Sequence, residues 1–153
     1  MLAVIQRVDN ASVNADGVIS GIIGNGLYIL LGVAEGDSAE DAILLAEKIS
    51  KLRIFTDDND KMNLSVKDVG GECLVVSNFT LNANYKHGNR PDYLASAAPE
   101  EANNLYELFK SELASRVVRV ASGVFGAHMI TNLATNGPVT IVMDSTVLKG
   151  GKR

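Results

Sequence analysis

The chain has 153 residues, 46% of them hydrophobic and 21% charged, with three prolines and a net charge of −4. This length suits one domain able to bury roughly two-thirds of the surface of its unfolded chain, and the composition excludes a long disordered tract. The acidic balance excludes a broad nucleic-acid-binding face, so any RNA contact must be local, and no apolar run approaches a membrane span.

Met1 to Val8 is apolar but short and interrupted by Gln6 and Arg7, so it reads as a strand and not as a leader. Leu2 to Val8 and Ala11 to Val13 read as strand segments, followed by Val18 to Ile23 and the continuous run Leu27 to Val33. Gly24-Asn25-Gly26 lies between two strand patterns with no helix start after it, which points to a hairpin turn and not a phosphate loop. A helix is expected after Ser38, an N-cap with Asp41 three residues on, burying Ala42, Leu45, Ala46, Ile49 and Leu52. Arg53 to Thr56 is strand-like. Asp57 to Lys61 lacks the glycine and glutamate of a calcium loop and reads as a polar turn.

Glu72 to Phe79 reads as a strand whose Cys73, the one cysteine, is expected to be a buried thiol; with no disulfide available, a reducing cytoplasm fits. The polar segment Asn82 to Asp92, with His87, Gly88, Arg90 and Pro91, is long enough to suspect function. A second helix is expected from Pro99, with Glu100 and Glu101 in its first turn and Ala102, Leu105, Tyr106, Phe109 and Leu113 as a core stripe. Val117 to Ala121, Met129 to Ala134 and Val139 to Asp144 complete a strand-rich α/β chain. Residues 1–148 form one domain, and Lys149 to Arg153 read as a flexible basic tail.

Two segments gather hydroxyl and amide groups at strand ends: Ser77-Asn78-Phe79-Thr80 and Thr135-Asn136-Gly137-Pro138-Val139-Thr140. Such positions can hold an oxyanion donor rigidly; Ser77 and Thr80 could equally hydrogen-bond the local backbone. No G-x-S-x-G elbow or metal-ligand spacing supports His87 or His128, so His87 reads as a surface residue and His128 as a partly buried structural one.

Taken in order, Ile5-Gln6-Arg7-Val8, Ala11-Ser12-Val13, Leu30 to Val33, Lys61 to Leu64, Ser77 to Leu81, Arg90-Pro91 and Gly137 to Thr140 resemble the D-aminoacyl-tRNA deacylase family along nearly the whole chain. The family signatures S-Q-x-T and N-x-G-P-x-T appear as S-N-F-T and T-N-G-P-V-T, with Asn78 in place of glutamine and Thr135 in place of asparagine. The resemblance implies a β-barrel-like domain with two main helices packed outside, acting as a homodimer with active sites at the interface. It implies a hydrolase that releases D-amino acids from tRNA, and glycine mischarged on tRNA-Ala, without cofactor or metal.

By the same resemblance Ser77, Phe79 and Thr80 are catalytic, the Phe79 and Thr80 amides polarising the ester carbonyl. Asn78, Met129, Gly137 and Pro138 bind substrate, the Gly137-Pro138 pair in cis and inserted into the partner's pocket to reject L-side chains. Arg7, Thr135 and Thr140 support that pair. The expected partner is the tRNA acceptor end, with no membrane and no DNA. Two alternatives stay open: a non-catalytic module binding aminoacyl-tRNA or D-amino acids, and a serine or threonine hydrolase acting on small esters or peptides.

Overall fold

The computed structural model describes residues 1–151, and its organising element is β1, Leu2–Ala15. The first half of β1 pairs antiparallel with β3, Gly26–Gly32, and its second half with β2, Val18–Ile23. Along its other edge β1 pairs with β8, Met129–Asp144, from Leu2 opposite Asp144 to Ala15 opposite Met129. β6, Glu72–Ser77, lies parallel to β3, and β7, Val120–Ser122, lies parallel to β6. The sheet then curls: the Arg119 guanidinium donates to the Ile22 carbonyl on β2 at 2.9 and 3.0 Å, so the order β2-β1-β3-β6-β7 almost closes into a barrel. A Cβ at Gly21 would lie 2.8 Å from Leu74 Cδ1 and 2.9 Å from the Ser122 carbonyl oxygen, and glycine is what permits this approach.

Two apolar layers result. Ala3, Ile5, Leu27, Ile29, Leu31, Cys73 and Val75 face α1, Ala39–Ser50, and α2, Pro99–Ala114, while Val8, Ala11, Val13, Tyr28, Leu74 and Val76 fill the barrel. β3 and β6 are buried on both faces, which explains their continuous apolar runs. Each fully buried leucine or isoleucine there contributes roughly 1.5–3 kcal/mol. Burial, reinforced by Glu72, pushes the Cys73 thiol up to about 12, so it is an inert core residue.

Several elements differ from expectation because pairing is non-local. The two opening segments are one strand, since β8 bridges the polar Asp9-Asn10 interruption; the last two segments likewise merge into β8. The strand expected through Phe79 stops at Ser77. Only Phe55–Thr56 (β4) of the 53–56 stretch pairs, with Met62–Leu64 (β5), while Arg53 donates to the Asn63 carbonyl and Oδ1. A short α3, Ser145–Leu148, was not foreseen. No helix among the described residues is long and apolar enough to cross a membrane.

Helix α1 starts where Ser38 and Asp41 predicted. Asp41 Oδ2 accepts from the Ser38 N–H at 2.9 Å and the Ser38 hydroxyl at 2.8 Å. Asp41 also pairs with Lys149 at 2.7 Å, so the first residue of the expected tail is held against α1; Lys152 and Arg153 lie outside the described residues. Burial alone would raise the Asp41 pKa, but Lys149, Ser145 and Ser38 together hold its carboxyl well below the ordinary range. A group with a depressed folded-state pKa stabilises above its unfolded pKa and loses that contribution as pH falls. Asp41→Asn is therefore expected to cost on the order of 2 kcal/mol at pH 7 in urea unfolding, with the gap to wild type shrinking once pH drops below about 4.

Candidate active site

The apolar run of β6 ends at Ser77, and the Asn78 N–H donates to the Leu31 carbonyl at 2.8 Å, closing the β3–β6 ladder. Asn78 has extended backbone angles and caps a 3-10 turn, Phe79–Asn82: its Oδ1 accepts from the Thr80 N–H at 3.2 Å and from the Thr80 hydroxyl. The first N–H of the turn, on Phe79, makes no hydrogen bond among the described residues. Its carbonyl accepts from Ser96 Oγ at 3.2 Å, and its exposed ring meets Tyr93 edge-on, with centroids 5.1 Å apart.

Beside this turn lies a cleft of about 430 Å³, walled by Leu31, Val33, Ala97, Ala102, Tyr106, Phe125 and Met129, with Ser77, Asn78, Phe79 and Ser96 at its polar side. Ala102 and Tyr106 come from the α2 stripe expected to be core alone. They serve both roles, packing against the core and lining the cleft. Tyr106 donates its hydroxyl to the Val75 carbonyl at 3.0 Å, and burial pushes its pKa up to about 12, so it stays a neutral wall residue. Among the described residues, Tyr106 is the only ionisable side chain in the cleft wall. The wall therefore holds no general acid–base pair, and its chemical assets are oriented hydroxyl, amide and backbone groups.

Of the residues proposed from sequence, Ser77, Asn78, Phe79 and Met129 line the cleft. Thr80 is exposed just beyond the wall, tied to it through Asn78. His87 is exposed; His128, expected to be partly buried, is also exposed and engages the fold through its carbonyl, which accepts from the Asp16 N–H at 3.2 Å. No group of three or more His, Cys, Asp or Glu side chains among the described residues is arranged to hold a metal ion.

Gly137 and Pro138 do not line the cleft of their own chain. Gln6 pairs with Thr140 and Val8 with Thr135, so Arg7 alone stands opposite the four residues from Asn136 to Val139. The Arg7 guanidinium holds this loop: Nε donates to the Asn136 carbonyl and Nη2 to Asn136 Oδ1, both at 3.2 Å, while Nη1 donates to the Ile54 carbonyl at 2.7 Å. Asn136 Nδ2 in turn donates to Asp9 Oδ1 at 2.7 Å, and Gln6 Nε2 to Thr140 Oγ1 at 3.3 Å. The Gly137–Pro138 peptide is cis, and Gly137 has φ +124°, a region that L-side chains rarely enter. Asn136, Gly137 and Pro138 are exposed.

The family model described as D-Tyr-tRNA(Tyr) deacylase matches residues 4–144. A D-aminoacyl-tRNA deacylase of Chloroflexus aurantiacus is 54% identical over 153 residues, covering 100% of this chain and 96% of its own length. One from Akkermansia muciniphila is 54% identical over 146 residues, covering 95% of this chain and 97% of its own. Among solved structures, a c-Myc DNA unwinding element binding protein matches with a TM-score of 0.88 at 36% identity, covering 94% of this chain and 98% of that one. A probable eukaryotic D-amino acid tRNA deacylase matches with a TM-score of 0.78 at 17% identity, covering 93% and 97%, a likeness of fold.

Removing the cap tests the local geometry without reference to activity. Asn78→Ala is expected to speed hydrogen exchange at the Thr80 amide and to cost about 1 kcal/mol of stability, whereas Asn78→Asp, which keeps the acceptor, retains the protection.

Proposed function

Because the chain belongs to the D-Tyr-tRNA(Tyr) deacylase family, we propose that it hydrolyses the ester joining a D-amino acid to the 3′ end of tRNA, releasing D-amino acid and free tRNA. The observation that carries this reading is a cleft whose wall offers backbone and hydroxyl groups but no acid–base pair. An aminoacyl ester is already activated, so binding it in a reactive pose supplies much of the required acceleration.

The unpartnered Phe79 N–H polarises the ester carbonyl, stabilising negative charge as the carbonyl carbon becomes tetrahedral, while the Thr80 N–H, expected to share that role, is engaged by Asn78 Oδ1. Water adds to that carbon with help from the terminal ribose 2′-hydroxyl. The ester C–O bond then breaks and the ribose 3′-oxygen leaves with a proton. The Thr80 hydroxyl donates its hydrogen bond to Asn78 Oδ1, which leaves the Thr80 oxygen lone pairs to accept from water or ribose. Among the described residues, Thr80 makes no hydrogen bond to a base that could make it a nucleophile.

Chirality is read by exclusion. Two copies associate, and the outward loop of one enters the cleft of the other, where the Gly137 and Pro138 carbonyls hold the substrate ammonium. An L-side chain would then collide with the wall, while a D-side chain or the hydrogen of glycine would not, so glycine mischarged on tRNA-Ala is also cleaved. The exposure of Asn136 to Pro138, the restraint by Arg7 and the absence of Gly137 and Pro138 from the lining of their own cleft support this arrangement. Thr135 and Thr140 fix the two ends of the loop on the ladder. The reaction takes place in the cytoplasm, on the acceptor end of the RNA.

Purified protein is expected to hydrolyse D-tyrosyl-tRNA and glycyl-tRNA while sparing L-tyrosyl-tRNA; binding without turnover of any of them would support the module reading. Thr80→Ala should retain substantial activity, and a trapped acyl-Thr80 would overturn attack by water. Arg7→Ala, which frees the loop, should lower kcat/KM on the order of ten-fold, with Arg7→Lys failing to restore it because a single ammonium cannot replace the fork.

A further inference from the structure

The segment from Asn84 to Leu94 is unused by the reading above, yet it adjoins the cleft. It is closed by a two-way bridge, with the Asn84 N–H donating to the Asp92 carbonyl and the Asp92 N–H to the Asn84 carbonyl, both at 2.9 Å. The Asp92 carboxylate is engaged at this base, accepting from Asn84 Nδ2 at 3.1 Å and from the Leu94 N–H at 3.3 Å. The excursion between them carries Lys86, His87 and Arg90 and no carboxylate, in a chain of net charge −4. The ion pairs of the described residues involve none of these three.

Tyr85 projects from the same excursion with 79% of its surface exposed, and Leu94 with 85%. The segment is fixed to the cleft rim through the Tyr93 ring on Phe79 and through Ser96, whose hydroxyl donates to the Phe79 carbonyl. An exposed aromatic ring flanked by unpaired cations is the composition that binds single-stranded nucleic acid: bases stack on the ring while cations meet phosphates. Phosphate affinity concentrated at one rim also reconciles an acidic protein with an RNA substrate.

We propose that the 84–94 loop is a binding surface for single-stranded RNA, gripping the unpaired nucleotides that precede the aminoacylated 3′ end, with Tyr85 stacking on a base and Lys86 and Arg90 contacting phosphates. This rests on the deacylase reading for the identity of the RNA, but the contact itself is testable without catalysis.

The experiment is fluorescence anisotropy of a labelled, unacylated single-stranded RNA ending in CCA, titrated with the full chain over a range of salt. Tyr85→Ala is expected to weaken binding on the order of ten-fold. The Lys86→Ala/Arg90→Ala double variant should reduce the slope of log affinity against log salt by about 1.4, the amount for two phosphates on a single strand. Lys61→Ala/Lys67→Ala, two exposed lysines away from the cleft lining, should leave both quantities unchanged. Wild-type binding by the loop variants, an equal loss in the Lys61/Lys67 control, or no binding by the wild type would overturn the proposal. Failure of the deacylase reading would show separately, as absence of turnover on D-tyrosyl-tRNA.

Discussion

The fork that Arg7 makes with Asn136 and Ile54 is the interaction on which the site depends. One residue of β1 stands opposite four of β8, and such an excess would ordinarily leave a loose excursion on the sheet edge. Arg7 gives two of its nitrogens to Asn136 in that excess and the third to the Ile54 carbonyl next to β4. The loop is thereby locked to two separate parts of the molecule. A planar guanidinium suits the task, since it presents its donors in a fixed fork. The exposed Gly137-Pro138 segment is thereby restrained next to Asn136, as the proposed chirality filter acting by exclusion would require.

The cleft is shaped by a second constraint, the burial of β3 and β6 on both faces. Strands covered by helices on one side and barrel side chains on the other cannot shift without opening both layers. Where β6 leaves that layer at Ser77, the chain turns at once into the capped 3-10 turn, so the Phe79 N–H is presented from a rigid base. The site thus combines a backbone donor, an acceptor hydroxyl on Thr80 and apolar walls. That assembly suits an activated ester bound in a defined pose better than an amide needing a strong nucleophile.

What the sequence revealed follows from the range of each signal. The start of α1 was legible because Ser38 and Asp41 act within one turn, and that of α2 because Pro99 is favoured at a first helical position. Gly24-Asn25-Gly26 was legible as a turn; Gly26 then packs so tightly on Glu72 that a Cβ would overlap its carbonyl, a contact no local pattern reveals. The break between Ala134 and Val139 marked where β8 departs from β1, but its partner Arg7 lies some 130 residues away, and only the fold joins them. The cap made by Asn78 was hidden in an apolar run that reads as strand through Phe79. The double duty of Ala102 and Tyr106 was hidden because a helical apolar stripe looks the same against a core or a cleft. His128 was expected to be partly buried; it is exposed, and its carbonyl accepts from the Asp16 N–H.

The claim that the outward loop of one chain completes the cleft of another is tested most directly by subunit complementation. Gly137→Val places a side chain at φ +124°, where the added Cβ would stand 2.9 Å from Val139 Cγ2, and so disables the loop alone. Ala127→Trp fills the cleft from a loop position whose backbone bond to Val124 is unaffected, and so disables the cleft alone. Each variant by itself should be inactive on D-tyrosyl-tRNA. After mixing under conditions that exchange subunits, mixed pairs carry one intact cleft facing one intact loop, and activity should reappear. A mixture that remains inactive although exchange is demonstrated would contradict action in trans and require each chain to build its site alone.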